Sequence, residues 1–258
     1  FDQQEFDLLL GQGFVLDQAP LLNLVVVRTG PSTHHLIYTN HHILMDGWSG
    51  SQLFGEVFQH YAGEAVRAQV GRYRDYIGWL QAQDKTASET FWKTQLAELR
   101  VPTRLAHGVA DSQNAASMIN GEHKLTFDPT QTESFKAFAQ THKVTLNTLV
   151  QSAWLMLLAR YTGQATVAFG ATVAGRPAEL RAIEQQVGLF INTLPVVATP
   201  DPQMPIGQWL QQIQAQNLGL REQEHTPLFE IQRWAGLGGE ALFDSILVVE
   251  HYPVSEAL

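Results

Sequence analysis

The sequence contains no cysteine. Disulfide staples, thiolate metal sites and cysteine nucleophiles are excluded at once, and a reducing cytoplasm, the expected location, is permitted but not required. Charge is sparse and unbalanced: 16 Lys and Arg against 25 Asp and Glu leave a formal −9. A field of that sign repels polyphosphate, so nucleic acid is not an expected partner. Apolar runs are short. The densest, Trp154-Leu155-Met156-Leu157-Leu158-Ala159, falls far below the roughly twenty residues a membrane span needs. There is no internal repeat, no low-complexity tract and no Gly-x-Ser-x-Gly nucleophile elbow.

What is present is a chain of 258 residues, 45% hydrophobic, with mean hydropathy −0.11. That is enough for one large globular domain or two modest ones. Leu21 to Arg28 is apolar and β-branched between Pro20 and Thr29-Gly30-Pro31-Ser32, which predicts a buried strand. His35 to His42 fits a second strand, making a hairpin with the first. Leu53, Phe54, Val57, Phe58 and Tyr61 then recur at helical spacing, with Ser49 or Ser51 as cap and Gly63 as terminator.

Further on, helices are expected over 72–83, 88–99, 130–142, 146–161 and 206–223, and strands over 123–127, 165–173, 187–197 and 243–250. Residues 104–114 lack an apolar period and mark the best linker, so a lobe boundary is placed between 105 and 106. Mixed strands and helices in this order predict an α/β or α+β layered fold.

The densest polar cluster in an apolar setting is His41-His42-Ile43-Leu44-Met45-Asp46-Gly47-Trp48-Ser49. Two readings need no catalysis. Adjacent histidines at a strand end often hydrogen-bond backbone, and His41 or His42 with Asp46 would offer a metal only two ligands, so no metal site is expected. Ser49 reads as a helix cap.

The cluster resembles the HHxxxDG signature of condensation domains of nonribosomal peptide synthetases, members of the chloramphenicol-acetyltransferase-like acyltransferases. Other segments stand in that family's order. They are Phe14-Val15-Leu16-Asp17-Gln18-Ala19-Pro20-Leu21-Leu22, Tyr73-Arg74-Asp75-Tyr76-Ile77-Gly78-Trp79-Leu80 and Gly170-Ala171-Thr172-Val173-Ala174-Gly175-Arg176-Pro177. Val187-Gly188-Leu189-Phe190-Ile191-Asn192-Thr193-Leu194-Pro195, Glu224-His225-Thr226-Pro227-Leu228-Phe229-Glu230-Ile231 and the segment Phe243 to Pro253 follow. Asn23 stands where similar domains often carry arginine, and His251 where they often carry asparagine. The family's usual domain is longer, so both ends are expected to be cut and the N-terminal lobe incomplete.

The resemblance implies two acetyltransferase-like lobes, here 1–105 and 106–258, with a tunnel between them. Donor and acceptor peptidyl carrier domains would deliver substrates on phosphopantetheine arms, beside a neighbouring adenylation domain, with no cofactor bound directly. His42 becomes the candidate catalytic histidine. Gly47 either offers its N–H to a developing oxyanion or is simply a turn glycine. Asp46 is expected to face away from the tunnel and pair with an arginine, Arg176 being the candidate, and His41 to point into packing. Trp48, Asn192 and His251 are the candidate substrate-binding residues, although Trp48 fits a core position better than a tunnel wall. Arg72, Arg74 and the Gln-rich helix are candidate carrier-facing surfaces or plain solvated faces. The implied function is amide formation between carrier-bound thioesters. Epimerization of a tethered aminoacyl or peptidyl thioester and a non-catalytic docking fragment are the alternatives.

Overall fold

The computed structural model describes residues 11, 13–65, 71–105 and 121–250. The chain divides into two compact units. Of the described residues, those up to Trp79 and Arg176–Phe190 fall in one, and those from Leu80 to Gly175 and Ile191–Glu250 in the other. This division differs in place from the sequence-expected one at 105/106, which abuts residues 106–120, outside the described residues. Arg176–Phe190 joins the first unit because Asp46 and Ser49 bind its backbone and its arginine.

In the first unit β1 (Leu22–Arg28) pairs antiparallel with β2 (His34–Asn40), Leu22 opposite Asn40 and Arg28 opposite His34. The turn closes through Thr29 and Gly30 N–H groups on the Thr33 carbonyl. Arg28 staples it by donating to the Gly30 and Pro31 carbonyls. The expected buried strand is not found: no residue of β1 or β2 is buried, and Leu24, Val26 and Leu36 are open. Among the described residues no third strand pairs with this ribbon. A β-branched run that reads as a central strand therefore lacks the neighbours that would cover it.

α1 (Gly47–Tyr61) begins on Asp46, not on Ser49 or Ser51 as the sequence suggested: the Asp46 side chain accepts the Ser49 N–H. It ends at Gly63, whose φ of 77° lets Glu64 N–H reach back to the Gln59 carbonyl. α2 (Tyr73–Gln81) starts within this unit. The expected strand over 187–197 begins only at Asn192, because the backbone of Gly188 and Phe190 bonds to Asp46 and Ser49 instead of to a ladder.

The second unit contains α3 (Lys85–Gln95), α4 (Pro129–Thr141), α5 (Leu146–Thr162), β3 (Val167–Val173), β4 (Asn192–Ala198), α6 (Ile206–Arg221), α7 (Leu228–Trp234) and β5 (Ile246–Leu247). Its sheet runs β4-β3-β5, antiparallel between β3 and β4 and parallel between β3 and β5. Asp128 and Gln131 form a capping box on α4 with Pro129 in its first turn, and Thr145 and Gly163 bound α5. Trp92, Leu155, Leu158, Phe169, Leu194, Ile213, Ile231 and Leu242 fill the core. Two expected strands shrink. Residues 123–127 have no ladder partner among the described residues, and 243–250 keeps β5 and one bridge from Phe243 to Thr103, with Ile246, Val248 and Val249 exposed. Alternation or an apolar run makes a strand only where a neighbour offers free N–H and C=O groups.

Both units carry the layered mixture of helix and strand expected from the sequence. In the second, a Cβ on Gly170 of β3 would lie 2.5 Å from the Phe243 ring and 2.8 Å from Thr193 Cγ2. Gly170→Ala is expected to cost about 1–3 kcal/mol by overpacking, read as a lower urea midpoint with the slope unchanged.

Candidate active site

β2 stops at Asn40, so His41 and His42 lie past the strand end rather than on it. Leu44 N–H closes a turn onto the His41 carbonyl at 3.1 Å, and His41 N–H donates to the Leu21 carbonyl at 3.0 Å. His41 is half-buried. Its Nδ1 accepts the Ile43 N–H at 3.1 Å, and its ring stands edge-on to Phe14 at 6.4 Å. This bond assigns the proton of the neutral ring to Nε2. The turn leaves His42 exposed at its tip.

Behind the tip the polarity changes. Asp46 and Ser49 are buried, at 2% and 0% exposure. Asp46 Oδ1 accepts the Ser49 N–H at 2.8 Å and Oδ2 accepts the Phe190 N–H at 3.1 Å. Arg176 Nη2 donates to both oxygens, at 3.2 and 3.4 Å, and to Ser49 Oγ at 2.9 Å. Arg176 Nη1 binds the Ile183 and Gln186 carbonyls, and the guanidinium lies over the Phe190 ring, 4.0 Å from its centroid. Ser49 Oγ donates to the Gly188 carbonyl at 2.8 Å and accepts the Gly188 N–H at 3.1 Å. Asp46 N–H adds a bond to the same carbonyl.

Burial pushes the Asp46 carboxyl up, but the hydrogen bonds from Ser49 and Phe190 and the Arg176 charge outweigh it and hold the group below its ordinary value. Burial draws Arg176 down against the opposing charges of Asp46 and Glu184; a guanidinium nonetheless keeps its proton in a protein. Tyr73, which donates to the Leu189 carbonyl at 2.7 Å, is pushed up by burial and by the Asp46 charge, and so remains a donor.

Gly47 is exposed as the first residue of α1, where N–H groups lack intrahelical acceptors and the helix end carries partial positive charge. Trp48 is half-buried, and its indole N–H donates to the Glu184 carbonyl at 2.8 Å, tying α1 to the 3-10 turn at Ile183–Gln185. Asn192 lies in the second unit. Its Nδ2 serves the Glu224 and Thr226 carbonyls at 2.9 and 2.6 Å, while Oδ1 accepts the Thr193 N–H. Both amide hydrogens thus hold a loop. His251 lies outside the described residues. Among the described residues no group of three metal-ligating side chains gathers. Sequence reasoning did not find the parts played by Gly188, Phe190, Tyr73 and Tyr76, since nothing local marks a contact made more than a hundred positions away. Ser49, read as a cap, proved to bridge Gly188 and Arg176.

Asp46→Ala is expected to cost about 3–5 kcal/mol, because it leaves the Arg176 guanidinium buried and unpaired. The folded-state carboxyl pKa is depressed, so the stabilisation is present above the unfolded value and lost as pH falls through the folded one. Urea midpoints measured from neutral pH into the acid range should fall below about pH 4 in the parent chain and fall less steeply in Asp46→Asn.

The Condensation domain family model matches residues 3–258. Chondramide synthase of Chondromyces crocatus is 40% identical over 252 residues, covering 95% of this chain and 6% of that protein. Bacitracin synthase 3 of Bacillus licheniformis is 36% identical over 251 residues, covering 95% of this chain and 4% of its own length. Among solved structures, the first condensation domain of the calcium-dependent antibiotic synthetase matches with TM-score 0.71 at 19% identity, over 95% of this chain and 55% of that one. A nonribosomal peptide synthetase cyclization-docking bidomain from Sorangium cellulosum matches with TM-score 0.73 at 21% identity, over 96% and 53%. These structures share the fold, and the chain spans a little over half of each and a small fraction of the curated synthetases. No helix among the described residues is long and apolar enough to cross a membrane. With its signature turn folded as described and nearly its whole length matched, the chain belongs to the condensation domain family of nonribosomal peptide synthetases.

Proposed function

We propose that this chain forms part of an amide-forming acyltransferase in which His42 serves the reaction between two carrier-bound thioesters. The observation that supports it is the pairing of an exposed His42 with the buried anchor at Asp46 four residues on. The acceptor amine attacks the donor carbonyl, a C–N bond forms, and negative charge develops on oxygen. As nitrogen becomes more acidic, His42 takes its proton; the C–S bond then breaks, and the proton goes to the departing carrier thiolate. The Gly47 N–H, at the positive end of α1, is the candidate donor to the oxyanion.

Magnitudes favour this late role. An α-ammonium of pKa about 7.7–8.0 is already roughly a tenth neutral at pH 7, so deprotonating it beforehand gains only about 1–1.5 kcal/mol. A general base positioned in the transition state contributes about 10²–10⁴-fold. The substrates would arrive on phosphopantetheine arms of donor and acceptor carrier domains next to an adenylation domain, in the cytoplasm, with no cofactor of the domain's own. We assign 1–105 to the later part of an N-terminal lobe and 106–258 to a C-terminal lobe that is incomplete at its end.

In the full-length synthetase with both carriers loaded, His42→Ala should lower carrier-bound amide, read by intact mass, about 10²-fold or more. A loss below about tenfold would reduce the histidine to a minor role. Racemised donor without amide on the same sample would identify the reaction as epimerization, and neither product would favour a docking role.

A further inference from the structure

Asp46 and Arg176 grip one side of the loop Gly188-Leu189-Phe190; the other side is held by a side chain with no part in the chemistry above. Tyr73, at the start of α2, donates its phenol proton to the Leu189 carbonyl at 2.7 Å. Its ring lies against Gly188 so closely that a Cβ there would overlap it. It also meets the Phe190 ring edge-on, with centroids 5.2 Å apart, and Tyr76 approaches the same ring at 4.8 Å. All three loop residues are therefore touched by Tyr73. Two of them are the residues whose backbone binds Asp46: the Gly188 carbonyl takes the Asp46 N–H, and the Phe190 N–H goes to its carboxylate.

We propose that Tyr73 is a positioning residue for His42, acting through Gly188, Leu189 and Phe190 on Asp46. The proposal rests on reading His42 as the reacting histidine. The segment 41–46 is fastened at its start by His41 N–H on Leu21 and at its end by Asp46. A shift of the loop displaces the second fastening while leaving the first, and so tilts the turn that carries His42. Gly188 is constrained for the same reason, since any side chain there pushes the Tyr73 ring away.

The test uses the full-length synthetase, with two readouts. One is the single-turnover rate of amide formation. The other is carbethoxylation of His42 by diethyl pyrocarbonate, located by peptide mass and divided by that of His123, which is exposed in the second unit. Tyr73→Phe keeps the ring and removes one hydrogen bond. It should lower kcat about three- to tenfold with KM for the acceptor carrier unchanged, and alter the His42:His123 ratio by a similar factor. Gly188→Ala should alter both more strongly, and adding Tyr73→Ala should recover part of the loss by making room for the new methyl. The proposal is overturned if Tyr73→Phe leaves rate and ratio within about twofold of the parent, or if the rate falls with the ratio unmoved. A His42→Ala variant that keeps its rate would sink the catalytic reading alone, because the labelling ratio measured in the Tyr73 and Gly188 variants, which keep His42, still reports where that side chain sits.

Discussion

A carboxylate without solvent contact costs several kcal/mol unless charge and hydrogen bonds replace the water it has lost, and Asp46 stands under that constraint. Its partners are a guanidinium 130 positions along the chain and two backbone N–H groups, one on its own helix and one on Phe190. Satisfying Asp46 therefore brings the Arg176–Phe190 segment back to the start of α1. Among the described residues of the first unit few large apolar side chains are buried, chiefly Ile183 and Phe190, so a charged knot occupies a place that a hydrophobic cluster fills in the second unit. Such a knot gains little stability over a packed apolar core. It gains direction, because each bond has one geometry.

That direction carries through to the exposed histidine. Between β2 and α1 the chain has only His41 to Asp46 in which to leave a sheet, turn and enter a helix. One end hangs from Leu21 on the ribbon and the other from Gly188 and Phe190 through Asp46. His41 stiffens the middle by accepting the Ile43 N–H with its own ring. The two histidines thus divide the work: the first uses its Nδ1 within the turn, and the second is left outward.

The sequence made the local features legible. The strand of Leu24 to Val27, the break at Gly63, the helix around Leu155 and the polar island at His41 to Ser49 all follow from period, capping chemistry and turn residues within a few positions of one another. The strands over 123–127 and 187–191 were misread because alternation and apolarity report what a residue would bury, not whether a neighbour has a free edge. Gly188 illustrates the difference. Inside an apolar run it looks like a weak spot in a strand, yet its missing side chain admits the Tyr73 ring and its backbone serves Ser49 and Asp46. Arg176 could be named from the family resemblance, whereas Tyr73 and Tyr76 had no local signal beyond lying in a shared motif.

The bonds in the turn also limit what chemistry its side chains can perform. Ser49 is fully buried, and its hydroxyl donates to the Gly188 carbonyl while accepting from Gly188 and Arg176. It has neither the access nor a neighbouring base that a serine nucleophile requires. Asp46 is held ionised below its usual range with both oxygens engaged, so it is no proton acceptor near neutral pH. Tyr73 donates to a carbonyl, and burial keeps its proton on. With no cysteine in the chain, this turn offers no thiol nucleophile. Of the polar side chains from His41 to Ser49, that of His42 is the exposed one, and it stands just ahead of the N-terminal end of α1 with its partial positive charge. On the reading proposed above, those two features serve a reaction in which the protein holds the geometry and moves a proton.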